Sequence, residues 1–207
     1  MSLPARPLVG VLALQGDFEA HRKALSDRGV ESVEVRTPAD LDGLAGLVLP
    51  GGESTTMLKL MESTRLADRL EALVRDGVPV LATCAGVILL AREVTNPPQR
   101  SLGLLDVGVE RNAYGRQLES AVVDLDVDAG AELPTAKLEG VFIRAPRVTE
   151  VGSSVRVLAR RGRDPVLLRQ GNVLAATFHP ELSTASPVIA LFLRKVRNGS
   201  APSGDPA

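Results

Sequence analysis

The sequence predicts an α/β fold: a three-layer, mostly parallel sheet flanked by helices, with antiparallel strands added in the C-terminal half. Two observations lead there. In the first half, short apolar runs of strand length alternate with amphipathic helical stretches, the pattern of a parallel sheet covered on both faces. In the second half the helices give way to successive strand-like segments joined by short turns, the pattern of antiparallel pairing. A third observation concerns the core. Hydrophobic residues make up 44% of the 207 residues but aromatics only 2%, so the interior is built from Leu, Val, Ile and Ala.

Taken in order, residues 8–14 form an apolar run of strand length. Residues 18–28 read as a helix with Phe18, His21 (or Arg22) and Leu25 near one face, closed by Gly29 as a glycine past a helix end would close it. A short strand is expected at 32–36 and a buried one at 46–50. Residues 54–63 and 66–76 look helical, the second with Leu66, Leu70, Leu73 and Val74 on one stripe before Gly77. A strand begins at Pro79, and a helix is expected over 86–93. Strands follow at 118–126, 141–145, 155–159, 166–169 and 173–178, and a helix at 187–197 carries Val188, Ile189, Leu191, Phe192 and Val196. Residues 1–197 are expected to form a single domain. The Gly/Ser/Pro/Asp-rich tail 198–207 is expected to be disordered.

Composition narrows the function. The 24 Lys and Arg nearly balance the 25 Asp and Glu, so no global field points to nucleic acid or an anionic membrane. No apolar stretch approaches the roughly 20 residues of a membrane span, and the start lacks a signal-peptide apolar region. The single cysteine excludes an intrachain disulfide and fits a reducing cytoplasm. Two histidines and one cysteine, widely separated, are a poor zinc set.

Three segments carry chemistry. The lone cysteine, Cys84, sits in Ala82-Thr83-Cys84-Ala85-Gly86 between two apolar runs. A strand that turns sharply into a helix lifts the bend residue out of the sheet and aims backbone N–H groups at whatever it attacks. A helix N-terminus also favours negative charge on a thiolate. The alternative is a buried core cysteine, since free cysteine is often buried. The second segment is Phe178-His179-Pro180-Glu181. Residues i and i+2 of an extended stretch share a face, so Glu181 can orient the His179 imidazole as the third member of a triad does. A surface His beside a surface Glu is the competing reading, but the pair follows an apolar strand, and α/β enzymes place site residues at strand C-terminal ends. The third segment is Pro50-Gly51-Gly52-Glu53-Ser54-Thr55. Paired glycines bring backbone amides close to a ligand, although an ordinary strand-to-helix turn capped by Ser54 or Thr55 would look the same. Arg111 and Arg144 are candidate carboxylate holders or solvated surface charges. Gln15 ends the first strand and so could face the same crevice. His21 reads as a surface or satisfied histidine, away from the nucleophile turn.

These stretches resemble the glutaminase-subunit family of pyridoxal 5′-phosphate synthase, class I triad-type glutamine amidotransferases. The resemblance rests on GVLALQGDFEAH at 10–21, LVLPGGESTTM at 47–57, ATCAGVILLA at 82–91, LGLLDVGVERNAYGRQ at 102–117, GVFIRAP at 140–146 and FHPEL at 178–182. It implies a flavodoxin-like fold, with Cys84 as nucleophile, His179 as general acid/base and Glu181 as its orienter. Gly52 and Ala85 would supply oxyanion-hole amides. Gly52, Glu53, Ser54, Arg111, Ile143 and Arg144 would bind glutamine, and Gln15 would lie near a partner interface. The implied reaction hydrolyses L-glutamine to glutamate and ammonia without metal or organic cofactor. The ammonia would pass to a barrel-type synthase subunit in a large hetero-oligomer that makes pyridoxal 5′-phosphate, docking would switch the site on, and a Gly51-Gly52 peptide flip is an expected switch. One departure stands out: the family elbow reads Gly-x-Cys-x-Gly, and Ala82 holds the first position.

Two other classes fit parts of the pattern. Cysteine elbows on flavodoxin-like sheets occur in DJ-1/PfpI-like hydrolases and chaperones, which generally lack a C-terminal His-Pro-Glu pair. A non-catalytic regulatory subunit would not need Cys84, His179 and Glu181 to converge.

Overall fold

The computed structural model describes residues 7–111, 113 and 120–199. Its elements run β1 (Val9–Leu12), α1 (Phe18–Ser26), β2 (Ser32–Val35), β3 (Gly46–Leu49), α2 (Ser54–Thr64), α3 (Leu66–Arg75), β4 (Val80–Thr83), α4 (Ala85–Leu90), β5 (Ala91–Thr95), β6 (Leu105–Glu110), β7 (Ser120–Val127), β8 (Lys137–Ile143), β9 (Arg147–Val151), β10 (Arg156–Arg161), β11 (Asp164–Gln170), β12 (Val173–Ala176) and α5 (Pro187–Gly199). A nine-stranded sheet has the order β2-β1-β3-β4-β12-β11-β10-β7-β8. The five strands from β2 to β12 are mutually parallel, and those beyond β12 pair antiparallel. The mixed sheet is thus the expected one, parallel first and antiparallel later.

Residue alternation divides the core between the two faces of the sheet. Leu47 and Leu49 of β3, with Val80 and Ala82 of β4, pack with α2, α3 and α4. Val48 and Leu81, pointing the other way, pack with α1 and α5. Strands buried on both faces read as continuous apolar runs because both neighbours are helices.

The structure corrects several expected boundaries. The helix expected over 86–93 ends at Leu90, and residues 91–95 form β5 instead. Helical and strand periods are hard to separate in so short an apolar run. Val94 and Thr95 favour the extended form, and the parallel ladder to β6 decides it. β5, β6 and β9 build a separate three-stranded sheet, whose β9 has no counterpart in the expected elements. Arg92 braces this sheet by pairing with Asp106 of β6 and, at 2.7 Å, with Glu150 of β9. The last helix runs to Gly199, two residues into the expected tail, and residues 200–207 lie outside the described residues. So do residues 112 and 114–119, which include the first two residues of the strand expected at 118–126. Among the described residues no helix is long and apolar enough to cross a membrane.

Candidate functional site

Four neighbouring parallel strands, β1, β3, β4 and β12, end on the same edge of the sheet, and each hands a candidate residue to that edge: Gln15, Gly52, Cys84 and His179. The strand order reverses between β1 and β3, so a crevice opens where open α/β sheets bind ligands.

Cys84 occupies the bend between β4 and α4 with φ 46° and ψ −104°. A positive φ on a non-glycine residue is costly and persists only when its surroundings over-determine it. Here the Cys84 N–H donates to the Ala176 carbonyl at 2.9 Å. Gly86 packs so closely on β3 that a Cβ there would lie 2.2 Å from the Leu49 carbonyl oxygen. The cysteine Sγ is 3.8 Å from the Ile143 carbonyl oxygen. Ala82, the departure from the family elbow, is fully buried and keeps regular ladder pairing to Leu49 and Ala175, so the extra methyl is accommodated.

His179 and Glu181 are both buried, and Nδ1 of the imidazole lies 2.7 Å from Glu181 Oε1. Burial works against a charged imidazole, but the neighbouring Cys84 and the Glu181 carboxylate together outweigh it, raising His179 to about 10. Burial likewise opposes ionisation of Glu181. Attraction to His21 and the hydrogen bonds from His179 and His21 prevail, lowering its carboxyl to about 2. An imidazolium facing a sulfur on one side and a carboxylate on the other can hold a thiolate and can return a proton to a leaving group.

The glycine turn lies against this group. A Cβ on Gly51 would sit 2.5 Å from His179 Cε1, so only glycine leaves room for the ring. Gly52 has φ +154°, and a Cβ there would meet Gln15 Oε1 at 2.6 Å. The Gly51 carbonyl accepts the Asp17 N–H at 3.2 Å, which turns the Gly52 N–H to the opposite side of the planar peptide. Gln15 Oε1 accepts the Glu53 N–H at 2.5 Å. Glu53 itself caps α2, taking the Thr56 N–H at 2.8 Å and a weaker contact from the Thr55 N–H at 3.4 Å. Glu53, and neither Ser54 nor Thr55, is therefore the cap of α2. Burial resists its charge, but these bonds and the Arg111 guanidinium at 3.1 Å hold the Glu53 carboxyl below its usual range. Ser54 is buried, and its hydroxyl donates to Gln99 Oε1 at 2.9 Å.

A cavity of about 420 Å³ is lined by Gln15, Gly52, Glu53, Ser54, Cys84, Ala85, Arg111, Ile143, Arg144 and His179, together with Gly16, Asp17, Gly51 and Ile88. Every candidate residue from the sequence is therefore at this one place, with Glu181 directly behind His179. Among the described residues no group of three His, Cys, Asp or Glu side chains could hold a metal ion.

Sequence reasoning misplaced one residue. His21 is not away from the nucleophile turn. It is 2% exposed, with Nε2 3.0 Å from Thr83 Oγ1 and 3.2 Å from Glu181 Oε1. Its position on the inward stripe with Leu25 was the available signal. Gln99, which ties Ser54 and Thr55, gave no signal at all.

A cysteine at a strand-to-helix bend and a buried His–Glu pair at the carboxyl edge of parallel strands define an α/β protein with its candidate site at the usual crevice, and comparison with known proteins narrows the class. The SNO glutamine amidotransferase family matches residues 11–198. The pyridoxal 5′-phosphate synthase subunit PdxT of Koribacter versatilis (strain Ellin345) is 52% identical over 193 residues, covering 93% of this chain and 97% of that protein. The PdxT of Pelotomaculum thermopropionicum is 52% identical over 192 residues, covering 92% and 96%. A crystal structure of a glutamine amidotransferase superposes with TM-score 0.84 at 46% identity, covering 91% of this chain and 98% of that one. PurLQS from Thermotoga maritima, at 18% identity and TM-score 0.67, shares the fold alone. The chain belongs to the SNO glutamine amidotransferase family.

Proposed function

We propose that this chain hydrolyses L-glutamine to L-glutamate and ammonia with Cys84, His179 and Glu181 as its triad, and delivers the ammonia to a synthase partner that makes pyridoxal 5′-phosphate. The observation that carries this reading is Cys84, held at positive φ on the carboxyl edge of the parallel strands and lining one cavity with His179, whose Nδ1 lies 2.7 Å from the buried Glu181.

In the reaction, Cys84 Sγ attacks the side-chain amide carbon of glutamine. The oxyanion is met by the N–H of Ala85, which as the first helical residue has no partner within its helix, and by the N–H of Gly52. Such donors are each worth about 3–4 kcal/mol in the transition state. His179 gives its proton to the departing nitrogen, ammonia leaves, and a γ-glutamyl thioester remains. Water, losing a proton to His179, then hydrolyses the thioester and restores the thiol. Arg111 and Arg144 at the cavity rim suit the α-carboxylate of the substrate, with Ser54, Glu53 and the Ile143 backbone for its remaining polar groups.

Ammonia freed into water would be protonated and lost as a nucleophile, so the site requires a consumer, and the PdxT relatives are named as synthase subunits. The consumer is proposed to be a barrel-type lyase within a large hetero-oligomer. The Gly51-Gly52 peptide is the proposed switch: rotating it would break the Asp17 bond and reverse which group the peptide offers to the oxyanion. The test is glutamate release from glutamine with and without the synthase subunit, and with Cys84→Ala as control. Release that rises with the partner and disappears in the variant is the expected result. Release that persists in Cys84→Ala would overturn the triad.

A further inference from the structure

His179 and Glu181 are two residues apart on one short segment. Their mutual hydrogen bond makes them a unit, but it does not by itself fix that unit relative to Cys84, which sits on a different element. The second anchor comes from α1. His21 Nε2 lies 3.2 Å from the same Oε1 that receives His179 Nδ1, and 3.0 Å from the hydroxyl of Thr83, the residue before the nucleophile. All four side chains are buried.

The protons in this group follow from acceptor chemistry. An ionised carboxylate only accepts, so both ring nitrogens that face Oε1 must carry hydrogens. His21 is therefore the Nε2–H tautomer or its protonated form, sharing that hydrogen between Glu181 Oε1 and Thr83 Oγ1. His179 carries Nδ1–H, which leaves its other nitrogen for Cys84. Among the described residues Glu181 Oε2 has no hydrogen-bond partner, so the carboxylate is held through one oxygen alone. Lost donors would leave a buried charge free to reorient, a costly state in a low-dielectric interior.

We propose that His21 is a positioning residue for the amide hydrolysis: its Nε2–H pins Glu181 Oε1 to Thr83, and so fixes the His179 imidazole relative to Cys84. The connection Thr83–His21–Glu181–His179–Cys84 closes a ring of side chains from three separate elements. The inference rests on the triad reading above. His21 touches neither the substrate cavity nor the sulfur, so its effect belongs on turnover rather than on glutamine affinity.

The test uses the full chain with its synthase partner and compares His21→Leu, His21→Asn and His21→Gln. Leucine removes the donor. The asparagine amide is too short to replace Nε2, whereas glutamine can bring an N–H close to its place. Misplacement on the scale of an ångström costs up to about 100-fold in rate, so kcat should fall roughly 10- to 100-fold in His21→Leu and His21→Asn. KM for glutamine should stay within about threefold in both, and His21→Gln should recover most of kcat. A folded His21→Leu or His21→Asn with parental kcat overturns the proposal. So does an equal loss in all three variants, which would mark His21 as packing only. Glu181→Gln measured alongside separates the two levels: parental activity there sinks the triad itself, whereas its inactivity beside a fully active His21→Leu sinks only the role of His21.

Discussion

At the scale of single residues, the site is a contest between burial and charge. His179 is held charged to about 10 because Cys84 and Glu181 together outweigh its desolvation. The sign of the linkage follows. A histidine raised above its unfolded value of about 6.5 contributes stability that is fully present below that pH and is lost as pH rises through about 10. Cys84→Ala removes one of the two groups that raise His179, so the His179 titration followed by NMR should move to lower pH in that variant. An unchanged midpoint would mean that Cys84 and His179 do not interact as described. Glu181 runs the other way. Depressed to about 2, it is ionised at neutral pH and presents an acceptor to both imidazoles.

At the scale of elements, the nucleophile is a product of how β4 meets α4. The strand delivers Cys84, Gly86 lets the helix press against Leu49, and the cysteine takes the strained backbone. Ala82 lies one turn of the pleat before the nucleophile, in a strand paired on both sides. Ala82→Gly, which restores the family elbow, should leave glutaminase kcat within about twofold while lowering unfolding free energy by about 0.5–1 kcal/mol, the usual cost of glycine in a strand interior. Urea melts and turnover on the same preparation check this, and a gain of activity would show that the methyl restrains the elbow. The glycine turn after β3 is organised just as locally. Gln15, from the end of β1, fastens the Glu53 N–H and keeps the turn beside His179.

At the scale of the whole molecule, the site lies at the carboxyl edge of the parallel half, so a docking synthase would meet Gln15 and the glycine turn together. Gln15→Ala removes one hydrogen bond from that turn, worth about 1 kcal/mol. Partner-stimulated glutamate release should then fall about fivefold, with complex formation followed in parallel by size-exclusion chromatography. Full stimulation in Gln15→Ala would show that this bond plays no part in activation.

The sequence by itself determined the layered fold and which residues gather at one crevice, because both are written in local patterns. Apolar runs and amphipathic stripes mark strands and helices wherever burial is simple. A cysteine in a strand-to-helix bend, a His-x-Glu after an apolar strand and a Gly-Gly turn each announce a role within a few residues. The tertiary structure decided what depends on distant neighbours. Residues 91–95 became a strand because β6 was there to pair with them. Glu53 rather than Ser54 caps α2 because Gln99 engages the Ser54 hydroxyl and Arg111 steadies the carboxylate. His21 lies beside Glu181 although the two are far apart in the sequence, because α1 packs across the chain segment that follows β12. Local periodicity left His21 and Arg22 as alternatives for the face shared with Leu25. Only the packing of that helix could show that His21 faced Glu181.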